Sequence, residues 1–133
     1  MPELPEVETV KRTLASLVIG KTIQQVTISL PRIIRRPDDT HLFAEQLAGT
    51  TITKVERRGK FLKLFTDPYV LVSHLRMEGK YRVADQTEPV EKHVHVIFHF
   101  TDGTELRYKD VRQFGTMDLF QSGEEENEEP LKK

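Results

Sequence analysis

From Thr22 onward the chain breaks into short runs rich in β-branched and aromatic residues, each closed by a turn signal, and this punctuation constrains the fold more than any other feature. The runs cover residues 22–30, 51–57, 60–66, 69–75, 80–83, 93–101, 104–109 and 116–120. Asp67-Pro68 and Asp102-Gly103 mark tight turns between them, the second with the residue types of a two-residue hairpin loop. A helical period appears only twice. With Pro5 in a first turn, Val7, Val10, Leu14, Leu17 and Val18 recur every three or four residues on one face, and Gly20 supplies a stop. A shorter helix starts at Asp38 or Asp39 as cap, runs through Leu42, Phe43 and Leu47, and ends at Gly49. The expectation is an α+β fold, mostly β: an antiparallel β-sandwich of about eight strands flanked by two helices.

A chain of 133 residues has room for one such unit, placed at residues 1–120, with residues 121–133 as an acidic linker or disordered tail. The net charge of −1 hides an asymmetry: without the five glutamates and two lysines of that tail, the body holds 18 basic and 16 acidic side chains. Cysteine is absent, which excludes a disulfide framework, a cysteine-ligated zinc module and a cysteine nucleophile within this chain. Apolar stretches are only a few residues long and no signal peptide is visible, so a soluble intracellular protein is expected.

Four features bear on chemistry. The first is the opening Met1-Pro2-Glu3-Leu4-Pro5-Glu6. Initiator methionine is removed before a small residue, which leaves Pro2 with a free secondary amine. An α-amino group has a pKa of roughly 7.7 to 8.0, far below lysine, so much more of it is neutral and nucleophilic at neutral pH. Such an amine attacks an aldehyde-level carbon to give an iminium ion, an electron sink for the next bond cleavage, while Glu3 beside it delivers a proton. The plainer reading is an N-terminal arm leading into a helix.

The second feature is Arg57-Arg58-Gly59-Lys60, where Gly59 permits a tight turn and Lys60 projects toward a phosphate; the alternative is a solvated basic edge. The third is a pair of stretches ending in glycine, His74-Leu75-Arg76-Met77-Glu78-Gly79 and Asp110-Val111-Arg112-Gln113-Phe114-Gly115. Proteins that extrude a base need apolar wedges and a donor to replace the lost base; Met77 and Phe114 fit the wedge, Arg112 the donor, and burial of both apolar side chains in the core is the competing reading. The fourth is His93, His95 and His99, which share one face of a strand; they point either to water and phosphate or to a metal, as in a metal-dependent β-sandwich enzyme.

Together, residues 2–9, the Arg57-Arg58-Gly59-Lys60 turn, His74-Leu75-Arg76-Met77, Glu91-Lys92-His93 and Asp110-Val111-Arg112-Gln113-Phe114-Gly115 closely resemble the bacterial formamidopyrimidine-DNA glycosylase family, in order from residue 2 to about residue 120. The resemblance implies that Pro2 is a Schiff-base nucleophile at C1′ of a damaged nucleotide carrying 8-oxoguanine or formamidopyrimidine. It makes Glu3 the proton donor, Glu6 a supporting carboxylate and Lys60 a proton donor for β,δ-elimination. Met77, Arg112 and Phe114 fill the gap left by the flipped base, and His74, His93 and Arg112 contact DNA. Damaged double-stranded DNA is the implied partner, with no membrane and no protein partner, and the implied setting is a monomer acting on the bacterial nucleoid in the cytoplasm.

Family members continue into a helix-two-turn-helix domain and a zinc finger. A cysteine-free chain has no place for that zinc, so no metal or other cofactor is expected here. The expectation is an isolated N-terminal catalytic domain, weakly active or inactive alone. A non-catalytic damage-binding module is the alternative.

Overall fold

The computed structural model describes residues 4–76 and 79–127, except the side chains of residues 4–6 and 127. Helix α1 spans Leu4–Val18, and the chain then runs through β1 (Ile23–Ile28), a 3-10 turn at Pro31–Ile33, β2 (Ile34–Arg36) and α2 (Thr40–Leu47). Strands β3 (Lys54–Arg58), β4 (Phe61–Phe65), β5 (Tyr69–His74), β6 (Lys80–Asp85), β7 (Val94–Phe100), β8 (Thr104–Lys109) and β9 (Thr116–Gln121) follow. They form two packed sheets, one ordered β1-β7-β8-β6 and the other β2-β9-β5-β4-β3.

Alternation along the strands builds the core. Val96, Phe98, Leu106 and Tyr108 from one sheet meet Leu62, Leu64, Leu71, Met117 and Leu119 from the other, all nearly solvent-free. The helices close the flanks of the sandwich. Helix α2 packs against β1 and β2 and contributes Phe43 and Leu47, while α1 packs against β3 and contributes Val7, Leu14 and Val18. Asp39, one of the two candidate caps, accepts hydrogen bonds from the backbone N–H groups of His41 and Leu42 at 3.0 and 3.2 Å.

The mostly-β sandwich with two helices is as expected, and three details differ. Among the described residues there are nine strands, because Ile34–Arg36 pairs parallel with β9. A three-residue strand rich in arginine has no alternation to read, and only its partner creates it. Next, a register shift interrupts the histidine run, and the His93 and His95 rings meet edge-on with centroids 6.4 Å apart. Pairing of β7 with β8 shifts between Val94 and Val96, so Val94, His95 and Val96 are all buried, while His93 precedes the strand with φ +67°. His95 Nε2 donates to the Asp110 carbonyl at 2.8 Å, and His99 lies against Glu105 at 2.9 Å and Thr27 at 2.8 Å. Among the described residues, no group of three or more acidic or histidine side chains is arranged to hold a metal.

Finally, residues 122–127 of the acidic segment lie on the outer face of the five-stranded sheet. Ser122 N–H donates to the Pro68 carbonyl at 2.7 Å, and Lys63 on β4 pairs with Glu125 at 3.0 Å and Glu126 at 2.7 Å. Lys63 is only 7% exposed, and a buried ammonium requires a counter-charge. Residues 128–133 lie outside the described residues. No helix among the described residues is long and apolar enough to cross a membrane.

Candidate nucleic-acid interface

Strand register brings the segments singled out in the sequence to one end of the sandwich. Arg58 pairs with Phe61, Phe61 with His74, and His74 with Thr116, so the Gly59 turn, the loop after β5 and the loop before β9 are neighbours. In the other sheet Lys109 pairs with both Lys80 and Val94, which adds the start of β6 and the segment before β7 to the same end.

The start of α1 is tied to this end electrostatically. Glu8 accepts hydrogen bonds from Arg57 Nε at 2.9 Å and Arg12 Nε at 3.0 Å, with Lys11 at 3.6 Å. The bonds from Arg57 and Arg12 hold its carboxyl down at about 2. Arg57 also donates to the Gly59 carbonyl at 3.1 Å, bracing a turn in which Gly59 has φ +58° and Lys60 is half-buried. Pro2 and Glu3 lie outside the described residues, as do the Glu6 side chain and Met77.

The loop between β8 and β9 is organised by Asp110, which has no solvent exposure. Its Oδ2 accepts from the Tyr108 hydroxyl at 2.8 Å and from Gly115 N–H at 2.7 Å, and its Oδ1 accepts from Gln113 N–H at 3.0 Å. With the carboxylate turned inward, the intervening side chains are displayed outward. Arg112 is exposed and Phe114 is 57% exposed, so Phe114 is not a core residue. Arg32 donates to Gln113 Oε1 at 2.6 Å from the 3-10 turn.

Backbone strain concentrates here. Of four non-glycine residues with positive φ among the described residues, Arg76 at +57°, His93 at +67° and Gln113 at +63° all fall in these loops. Each conformation costs about 1 kcal/mol, and such strain clusters where a surface must hold a set shape for function.

His74, expected at the DNA surface, is only 6% exposed. Its Nδ1 accepts from Arg76 N–H at 2.9 Å, and its ring meets Phe61 edge-on at 4.7 Å. Burial, with Arg76 and Lys60 nearby, lowers its pKa to about 4. The unfolded chain therefore takes up a proton first, and stability is full above about pH 6.5 and falls between there and pH 4, by up to about 3 kcal/mol. Urea unfolding at pH 7, 5 and 4 measures this. His74→Gln, which keeps an acceptor and does not titrate, is expected to flatten the slope; an unchanged slope would place the titration elsewhere.

In the sequence alone Tyr108, Arg76, Gln113 and Arg32 carry no mark of a site role, and Asp110 stands out only as part of a motif. The glycines at 79 and 115 were the available signal, since each closes a loop with no room for a side chain.

This geometry can be set beside known proteins. A family model described as the formamidopyrimidine-DNA glycosylase N-terminal domain matches residues 1–117. The formamidopyrimidine-DNA glycosylase of Bacillus subtilis is 63% identical over 131 residues, covering 98% of this chain and 48% of the relative. That of Brevibacillus brevis is 62% identical over 133 residues, covering 100% and 48%. The chain thus spans about half the length of the curated relatives it matches.

Among solved structures, the Lactococcus lactis glycosylase bound non-covalently to DNA containing an abasic site gives a TM-score of 0.87 at 40% identity, over 92% of this chain and 46% of that one. Its complex with DNA containing Fapy-dG gives 0.86 at 41% identity, over 92% and 45%. With sequence and fold matched along nearly its whole length, the chain belongs to the formamidopyrimidine-DNA glycosylase N-terminal domain family.

Proposed function

We propose that this chain is the catalytic, lesion-facing domain of a DNA glycosylase and abasic-site lyase that removes oxidised purines from double-stranded DNA. The observation that carries the reading is the gathering of the Gly59 turn, the two glycine-closed loops and three strained residues at one end of the sandwich. It is strengthened by relatives solved with abasic-site and Fapy-dG DNA.

The Pro2 amine attacks C1′, the bond from C1′ to the base breaks, and the base leaves with a proton that Glu3 helps deliver. The sugar ring opens to an iminium ion, which acidifies the adjacent C2′ proton. Loss of that proton expels the 3′ phosphate, and a second elimination expels the 5′ phosphate. Lys60 serves as proton donor and phosphate contact, and Glu6 supports the carboxylate set. Arg112, Phe114 and Met77 fill the space of the extruded base, while His93 contacts the backbone. His74 acts at the same surface by shaping the Arg76 turn. The domain works as a monomer on the bacterial chromosome in the cytoplasm, with no cofactor of its own.

Borohydride trapping tests this. With removal of Met1 verified by intact mass, the chain is expected to form a covalent adduct with a duplex containing an abasic site, and acetylation of the Pro2 nitrogen is expected to abolish it. Turnover of 8-oxoguanine by this chain alone is expected to be weak, because its relatives are about twice as long. Affinity should fall linearly on a log-log plot against salt, and Lys60→Ala should reduce the slope by about one. Absence of any adduct from the Met-free chain, with DNA binding retained, would reduce the protein to a damage-binding module.

A further inference from the structure

Tyr108, near the end of β8, is fully buried, and its hydroxyl lies where two loops meet. A Cβ built on Gly79 would come within 2.7 Å of that hydroxyl oxygen, and one built on Gly115 within 1.6 Å. The loop after β5 and the loop before β9 therefore close against the same atom. The hydroxyl donates to Asp110, whose carboxylate also takes the Gly115 and Gln113 N–H groups. Asp110 N–H donates to the His93 carbonyl at 2.9 Å, and its own carbonyl accepts from His95. The backbones of residues 79, 93, 113 and 115 are thus connected through two residues, Tyr108 and Asp110. Burial pushes the Tyr108 phenol far above its ordinary range, so it remains a hydrogen-bond donor throughout the working pH range. An apolar pair would fill this volume without any demand for partners, whereas a buried, fully satisfied polar pair specifies one geometry.

We propose that Tyr108 and Asp110 are positioning residues that lock the backbone at Gly79 to the loop at 110–115, so that the side chains of that loop enter a duplex from a fixed seat. The locking stands on geometry alone, and its use in base extrusion rests on the glycosylase reading above.

Two measurements on the full chain separate these parts. In amide hydrogen exchange, Tyr108→Phe keeps the ring and removes the hydroxyl; Gly79 and Gly115 are expected to exchange at least tenfold faster together, with β4 and β5 unchanged. Asp110→Asn, which turns an NH2 toward N–H groups that need acceptors, is expected to loosen 110–115 in the same way. A response at Gly115 without Gly79, or a uniform rise across the sheets, overturns the coupling.

In borohydride trapping, Tyr108→Phe is expected to match wild type at a preformed abasic site, where no base must be extruded, and to be at least tenfold slower on 8-oxoguanine DNA. Equal loss on both substrates overturns a role in extrusion. Failure of wild type to trap on the abasic-site duplex overturns the glycosylase reading and the extrusion role with it, while the exchange result still decides the coupling.

Discussion

Replacing Gly115 by alanine is expected to destabilise the protein by about 3 kcal/mol or more, through overpacking combined with loss of a buried hydrogen bond. The new methyl group would sit 1.6 Å from the Tyr108 hydroxyl and 2.9 Å from Asp110 Oδ2. Neither neighbour can yield at low energy. Tyr108 is held on all sides in the core, and a displaced Asp110 carboxylate would leave the tyrosine hydroxyl without its acceptor. For a domain of this size the loss corresponds to a fall in Tm of about 10 °C, measurable by calorimetry or urea unfolding. Gly59→Ala is the control. Nothing lies within 4 Å of its Cβ position, so only the left-handed backbone at φ +58° opposes the change, at about 1 kcal/mol. Equal effects of the two substitutions would show that the loops yield around Tyr108.

Truncating Glu125 to alanine is expected to cost about 2 kcal/mol, because it removes one of two counter-charges from a lysine buried in the outer face of the five-stranded sheet. Burial pushes the Glu125 carboxyl up, yet hydrogen bonds from Lys63 and from backbone N–H groups, Gly123 among them, outweigh it and leave the group below the ordinary carboxylate range. This contribution is therefore present above pH 4.5 and lost as the medium becomes more acidic. Glu126 remains paired with Lys63, so Glu125→Ala combined with Glu126→Ala should exceed the single change. Lys63→Met, which removes the charge but keeps the bulk, is expected to restore most of the lost stability in the double variant. Urea unfolding of the four proteins measures the cycle. No loss in either the single or the double variant would mean that pairing with Lys63 contributes nothing to the fold.

Most of the fold was legible because local patterns report it directly. The β-branched runs became strands within a residue or a few of their expected ends, and Asp39 capped its helix as its side chain suits. The candidate site was legible as residue types in order: the basic turn, the two glycine-closed loops and the histidine before β7. The same local reading failed where a residue's state depends on a distant partner. Phe114 and Phe98 are the same residue type, and nothing in the chain says that one lies 57% exposed and the other is buried.

The sequence by itself determined the strand and helix periods, the turns and the order of the chemical motifs, since each depends on residues a few positions apart. Tertiary structure alone decided four other features. It paired β2 with β9 and bulged β7, which gave His95 and His99 separate partners in Asp110 and in Thr27 and Glu105. It laid the acidic segment over Lys63, and it joined two loops at the hydroxyl of Tyr108. In each case the deciding energy is the desolvation of a polar group whose partner lies far along the chain, and that energy exists only once the two are brought together.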